Sequence, residues 1–209
     1  EIIRGLRLPR ALAAFACGGL LALAGALMQV LLRNPLADPY VLGISGGAAV
    51  GALSAMLAGL ALALINLFAF AGAFTAMLVV FGLAHGDNSW TQTRLLLTGV
   101  IVASGCGAVV ALILSVAPEA RLRGMLFWLM GDAGHASNPW PALVVLTVGI
   151  TATLPFAREL NLLARGDTLA HALGVSVRRV KYGVYFLAAI FTAAAVTTAG
   201  SIGFIGLVV

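Results

Sequence analysis

The side chains able to do acid–base, nucleophilic or metal chemistry are few and scattered. They are His85, His135 and His171, Cys17 and Cys106, and Ser104 within an apolar run. An intramembrane hydrolase needs a Ser–His pair, or a convergent His/Asp/Glu cluster, at one depth. The three histidines fall in polar loops, and Ser104 has no histidine beside it. ATP chemistry needs a GxxxxGK(S/T) phosphate loop, and the one lysine, Lys181, follows no glycine-rich turn. Neither a catalytic residue nor a metal site is expected. Both cysteines sit in apolar runs, so they read as small buried hydrophobes rather than a disulfide.

Elements that position so little chemistry are read from composition. The chain has 209 residues, of which 62% are hydrophobic and 9% charged. A soluble domain carries about 25% charged residues, because its surface must satisfy water. Lipid is therefore the expected solvent. The net charge of +5 has no aromatic-interleaved basic patch behind it, so a nucleic-acid partner is not expected. A hydrocarbon core of about 30 Å takes roughly 20 apolar residues as helix. Uncharged runs at 11–32, 95–117, 141–157 and 182–199 each fit one span. The run 40–84 is long enough for two, with a break expected near 59–66. Residues 201–209 look like the first half of a further span, after a turn at Gly200. These runs are continuous rather than alternating, which favours helices over a barrel. The 12 basic and 7 acidic residues all lie outside them. No signal-peptide cleavage site is visible, and the chain is expected to be a piece of a longer subunit.

Alternate loops share a side. Arg33, Arg94, Arg158, Arg165, Arg178, Arg179 and Lys181 fall on one side, and Arg4, Arg7, Arg10, Arg121 and Arg123 on the other. The larger set is expected in the cytoplasm. Ala11, Ala14, Gly18, Ala22 and Gly25 share a helix face that ends at Gln29, and Gly43, Gly47 and Gly51 share another. Such faces suit close packing within one subunit, a subunit interface or a pore lining. Glu119–Met130 reads as a short amphipathic helix on the outer side. The polar stretch 158–181 lies on the inner side. Within it 167–173 can form a short helix between Gly166 and Gly174, as a docking element or an ordinary interfacial loop.

Several motifs occur together. They are RLPR at 7–10, GGLLALAGALMQ at 18–29, NPLADP at 34–39 and LGISGGA at 42–48. TRLLLTG at 93–99, FWLMGD at 127–132, ARGDTLAHALGV at 164–175 and AGSIGFIGLVV at 199–209 complete the set. Jointly they resemble the FecCD/BtuC-type permease family of ABC importers, which brings in iron–siderophore complexes, haem or cobalamin. The resemblance runs the whole length of the chain. It implies an all-α, polytopic transmembrane helical bundle, with about six complete helices plus the start of a seventh out of ten. Residues 1–209 would be a single permease domain, with 158–181 as its cytoplasmic coupling loop.

Roles follow from the resemblance by position. Arg7 and Arg10 would dock glutamates of a periplasmic substrate-binding protein, since a guanidinium is a fixed bidentate donor; headgroup anchoring is the plainer alternative. Asn34, Leu36, Gln92 and Thr93 would line the cytoplasmic gate. Pro35 forbids regular helix there, and an Asn side chain can satisfy the freed backbone, so a simple cap and turn is the competing reading. Gly166, Asp167, Leu173, Gly174 and Val175 would couple to the ATPase, with His171 a polar interface residue. The implied partners are a second permease copy, two ATP-binding cassette subunits, the binding protein and membrane lipid. ATP and magnesium would sit on the cassette chains, and this chain would bind no cofactor. Its place would be the bacterial inner (plasma) membrane, as a multi-pass protein. An ion-coupled secondary transporter is the alternative. That class places ionisable residues inside its spans, and these spans carry none.

Overall fold

Lipid offers no partner to an unpaired amide, so each long apolar run closes its hydrogen bonds within a helix. The computed structural model describes residues 3–84, 91–131, 138–203 and 205–208, and every regular element in them is helical. A π turn at Ile3–Arg7 leads into α1 (Leu8–Leu32). A 3-10 turn at Pro39–Leu42 precedes α2 (Ile44–Leu57), and α3 (Leu62–Ala84) follows. Next come α4 (Gln92–Val116) and the short α5 (Glu119–Met130). The chain then crosses again through α6 (Trp140–Thr153), a 3-10 turn at Leu154–Phe156 and α7 (Ala157–Ala164). The six-residue α8 (Asp167–Ala172) and the long α9 (Val177–Ala199) complete the bundle.

The expected all-α polytopic bundle is what forms. Among the described residues, five stretches are long and apolar enough to span a membrane: α1, α3, α4, the continuous Trp140–Ala164 and α9. Half of the most apolar stretch of α1 is buried and 56% of that of α9, against 11% for α4. The paired α1 and α9 are therefore the centre, and α4 is peripheral. Leu20, Leu21, Met28 and Tyr185 are fully enclosed between them and their neighbours. Glycine permits the closest helix contact. A Cβ on Gly47 of α2 or Gly72 of α3 would run into the backbone carbonyl of the other. The small-residue face of α2 thus packs inside the subunit, as does Gly25 of α1, which lies against the Gly206 backbone.

Some boundaries differ from expectation. The break in 40–84 falls between Leu57 and Leu62, at the near edge of the expected window, with Gly59 at φ 73°. The first of the two helices is short. The 14 residues of α2 reach about 21 Å at 1.5 Å per residue, less than the hydrocarbon core. Its missing length is non-α backbone at 33–43, where Pro35 and Pro39 supply no amide donor and Gly43 takes φ 73°. Among the described residues, the expected six helices are thus five of full span length and one, α2, that is short. The span expected at 141–157 instead continues to Ala164, with Pro155 only tightening it into a 3-10 turn. Consequently 158–181 is mostly helix, and its non-helical part is 165–166 and 173–176. The described residues 201–203 and 205–208 form no α-helix. Gly200, at φ 74°, turns the chain, and a 3-10 turn at Ile205–Leu207 follows. Two glycines, Gly203 and Gly206, disfavour a helix nucleus in so short a run. Gln29 of α1 donates to the Gly206 carbonyl at 3.2 Å instead. Asp132, His85 and His135 lie outside the described residues.

Candidate functional site

The C-terminus of α1 leaves carbonyls without helical partners. Gln92, the first residue of α4, donates its Nε2 to the Leu31 carbonyl at 3.2 Å and satisfies one of them. Arg33 caps α1 in the left-handed conformation, at φ 46° and ψ 41°, with its N–H on the Gln29 carbonyl. Pro35 then blocks continuation. Asn34 accepts from the Leu36 N–H at 2.9 Å, and its own carbonyl accepts from the Ala37 N–H at 3.0 Å. These bonds fix a tight turn on whose surface Leu36 stands 74% exposed. Asp38 is buried and holds the Tyr40 N–H at 2.8 Å, so the chain re-enters the bundle in one conformation. Thr91 caps α4 by accepting from the Arg94 N–H at 3.3 Å. Thr93 is exposed on the first turn of that helix.

At the same end lies α8. Its N-cap Gly166 has φ 129° and the following Gly174 has φ 81°, so glycine brackets the helix as expected. Leu169 and Leu173 are exposed, and Val175 is half-buried. Asp167 opens α8 and joins it to the α1 turn. One carboxylate oxygen accepts from the Arg33 guanidinium, and the other accepts from Lys181 Nζ at 2.6 Å. Burial pushes the Asp167 carboxyl up. The hydrogen bond and charge of Lys181 and the charge of Arg33 outweigh it, so the carboxyl is held below its ordinary value. Among the described residues no group of His, Cys, Asp and Glu could hold a metal ion.

Asn34, Leu36, Gln92, Asp167 and the two glycines are thus gathered at one end of the bundle. Arg7 and Arg10 are not. They are exposed at the opposite end of α1, whose 25 residues separate the two regions by about 38 Å. From sequence, Arg33 and Lys181 read only as inner-side charges, and Thr91 is not singled out. The signal for Lys181 was available: an ammonium in a chain this apolar must find a counter-charge. Arg121 has a structural task. It donates to the Leu57 carbonyl and so fastens α5 to the end of α2.

The profile of the FecCD transport family matches residues 1–209. This chain belongs to the FecCD transport family. It is 41% identical over 213 residues to the cobalamin import system permease protein BtuC of Halobacterium salinarum, covering 100% of this chain and 57% of that one. It is 42% identical over 213 residues to the hemin transport system permease protein HmuU of Yersinia pestis, covering 98% and 63%. The chain therefore spans about three fifths of these curated relatives. A solved inward-facing ABC transporter, assigned to the metal-chelate type, superposes with a TM-score of 0.89 at 32% identity. The superposition covers all of this chain and 68% of that one. As a FecCD member, the chain is a multi-pass protein of the plasma membrane.

Proposed function

We propose that this chain is the membrane-spanning part of an ATP-driven importer that moves a ferric siderophore, haem or cobalamin into the cytoplasm. Two permease copies would enclose the path, two ATP-binding cassette subunits would dock on the inner end, and a periplasmic binding protein would dock on the outer. The observation that carries the reading is the inner-end cluster. A proline-broken turn presenting Leu36, the start of α4 and a glycine-bracketed helix with exposed leucines meet there. An apolar turn suits a gate, because it excludes water without fixing a charge against the cargo. A short helix with exposed Leu169 and Leu173 suits a groove on a soluble partner. Asn34, Leu36, Gln92 and Thr93 are assigned to the gate. Gly166, Asp167, Leu173, Gly174 and Val175 are assigned to coupling, within a loop region of 158–181. Arg7 and Arg10 are assigned to the binding protein, and ATP and magnesium to the cassette chains. Relatives carry names for cobalamin, hemin and ferric dicitrate transport, which supports a bulky chelate or corrinoid as the proposed cargo.

The test is uptake by the complete operon in proteoliposomes, with one labelled cargo at a time. Uptake should require ATP hydrolysis and survive a protonophore. Uptake that follows the proton gradient and ignores ATP would move the chain to the ion-coupled class.

A further inference from the structure

The six residues of α8 bury one side chain, Ala170, and leave Leu169 exposed, as is Leu173 just past its end. Packing alone therefore holds α8 weakly to the bundle. Both of its flanking glycines, Gly166 and Gly174, sit at positive φ with open space around them, which makes a swivel at each end. What ties α8 to the spans is one carboxylate with two arms. Asp167 takes Arg33 from the end of α1 and Lys181 from α9. The Arg33 arm is partly exposed, as ordinary surface pairs of little worth are, but the Lys181 arm is not. The Lys181 side chain is only 10% exposed, and it lies against the small space lined by Leu31, Thr91, Gln92 and Leu95. Arg33 adds a second observation. Among the described residues it is the one non-glycine at positive φ, at a cap that glycine or asparagine usually fills. An arginine there strains the backbone and places a guanidinium on Asp167.

We infer that Arg33, Asp167 and Lys181 form an ionic link that passes movement of α8 to the turns at 33–37 and 91–93. The inference rests on the importer reading, and it assigns Arg33 and Lys181 as positioning residues for the gate. Displacing α8 pulls Asp167, and Asp167 pulls two elements at once. Arg33 precedes Asn34 directly, so its arm acts on the turn that carries Leu36. Lys181 lies against the α4 cap, so its arm acts on Gln92.

The experiment uses the full-length transporter with its cassette subunits in nanodiscs and proteoliposomes. The variants are Arg33→Gly, Asp167→Asn, Lys181→Met, Lys181→Arg, and the double Arg33→Gly/Asp167→Asn. Cargo moved per ATP hydrolysed should fall about tenfold in Asp167→Asn, the size of a typical coupling between sites. The double variant should be no worse than Asp167→Asn, because one link is broken once. Lys181→Arg should recover what Lys181→Met loses. Arg33→Gly should lower the ratio while leaving the thermal midpoint unchanged or raised, since glycine relaxes the cap. Hydrogen exchange supplies an arm that needs no cargo. Nucleotide should change exchange at both α8 and 33–37 in the wild type, but at α8 alone in Asp167→Asn. A wild-type ratio in Asp167→Asn, or a ratio that falls only in step with the midpoint, overturns the link. So does equal nucleotide-dependent exchange at 33–37 in wild type and variant. A wild-type complex that hydrolyses ATP and moves no chelate overturns the importer reading instead, and the exchange arm still decides the link.

Discussion

Gly174 shows how one residue without a side chain can set a helix. Its φ of 81° lies where a β-branched residue is strained, yet no atom within 4 Å would meet an added Cβ. Gly174→Val should therefore act through backbone conformation rather than collision. The expected outcome in the full-length transporter is intact spans with transport uncoupled from ATP hydrolysis. The checks are the helical far-UV signal, which should persist, and cargo moved per ATP, which should drop. Normal transport by that variant would remove Gly174 from the coupling assignment. Asp167 gives a pH signature at the same scale. Its carboxyl is held below the ordinary value of 3.8, so it is charged in the folded state across the physiological range. A depressed carboxylate contributes stability that is complete above the unfolded pKa. That contribution is lost as pH falls through the lower, folded value. The difference in thermal midpoint between wild type and Asp167→Asn should therefore be constant from about pH 8 to about pH 5. It should shrink only below about pH 4, the ordinary carboxylate range. A difference that vanishes near pH 6 would mean that another group carries the effect.

At the scale of elements, close helix approach is the feature most open to test. Gly72 of α3 and Gly47 of α2 each occupy the space that a Cβ would need on the other. Gly72→Leu should push the pair apart, at a cost of about 1–3 kcal/mol for overpacking. A lowered midpoint in mild detergent, measured beside Gly82→Leu, checks it. Gly82 lies on the same helix with nothing within 4 Å, so its variant should be nearly silent. Much of this layout was legible in the sequence. Uncharged runs of span length located α1, α3, α4 and α9, and Gly166 and Gly174 located α8 to within a residue. The bounds of α5 were read without error. Elements whose length depends on backbone chemistry rather than hydropathy were less legible. Residues 40–43 are as apolar as a helix, but Pro39 and Gly43 make them a 3-10 turn and an αL cap, so α2 begins late. The uncharged run stops at Arg158, but the helix does not, because α7 resumes it with a polar face after a tightened turn at Pro155. The ionic cluster was the least legible part. Arg33 and Asp167 are 134 positions apart, and charge patterning along a chain does not pair residues across a bundle. The gate and coupling residues came from motif resemblance, and the structure brings both groups to one end.

Across the whole molecule, the exposed Leu36 poses a problem that a single copy does not solve. A leucine left 74% uncovered at the tip of a fixed turn loses the apolar burial that would stabilise it, about 1.5–3 kcal/mol for such a side chain. In the proposed importer the cover is another copy of the same residue. A twofold axis sets each residue opposite itself, so two Leu36 side chains would meet and close the inner mouth. The backbone around Leu36 is well held by Asn34 and by the Arg33 cap, so the side chain can be replaced without disturbing the turn. Leu36→Cys is therefore expected to fold as the wild type does. Burial in a core predicts the opposite, a loss of about 2–5 kcal/mol on truncation and poor expression. In the assembled full-length transporter, Cys17, Cys106 and any cysteine elsewhere in the subunit should first be replaced, to leave one thiol per copy. The pair at position 36 should then crosslink in the state with the inner gate closed. It should stop crosslinking in the nucleotide state that opens it. A short bifunctional reagent sets the distance, because two Cβ atoms must approach within about 4.5 Å for a direct disulfide. Crosslinking that appears in one nucleotide state and vanishes in another places Leu36 on a moving constriction. Crosslinking in no state would remove Leu36 from the gate and leave it as a contact for some other subunit. Crosslinking in every state would make the turn a static dimer contact, and the moving part would have to lie at the start of α4, where Gln92 and Thr93 face the same end of the bundle.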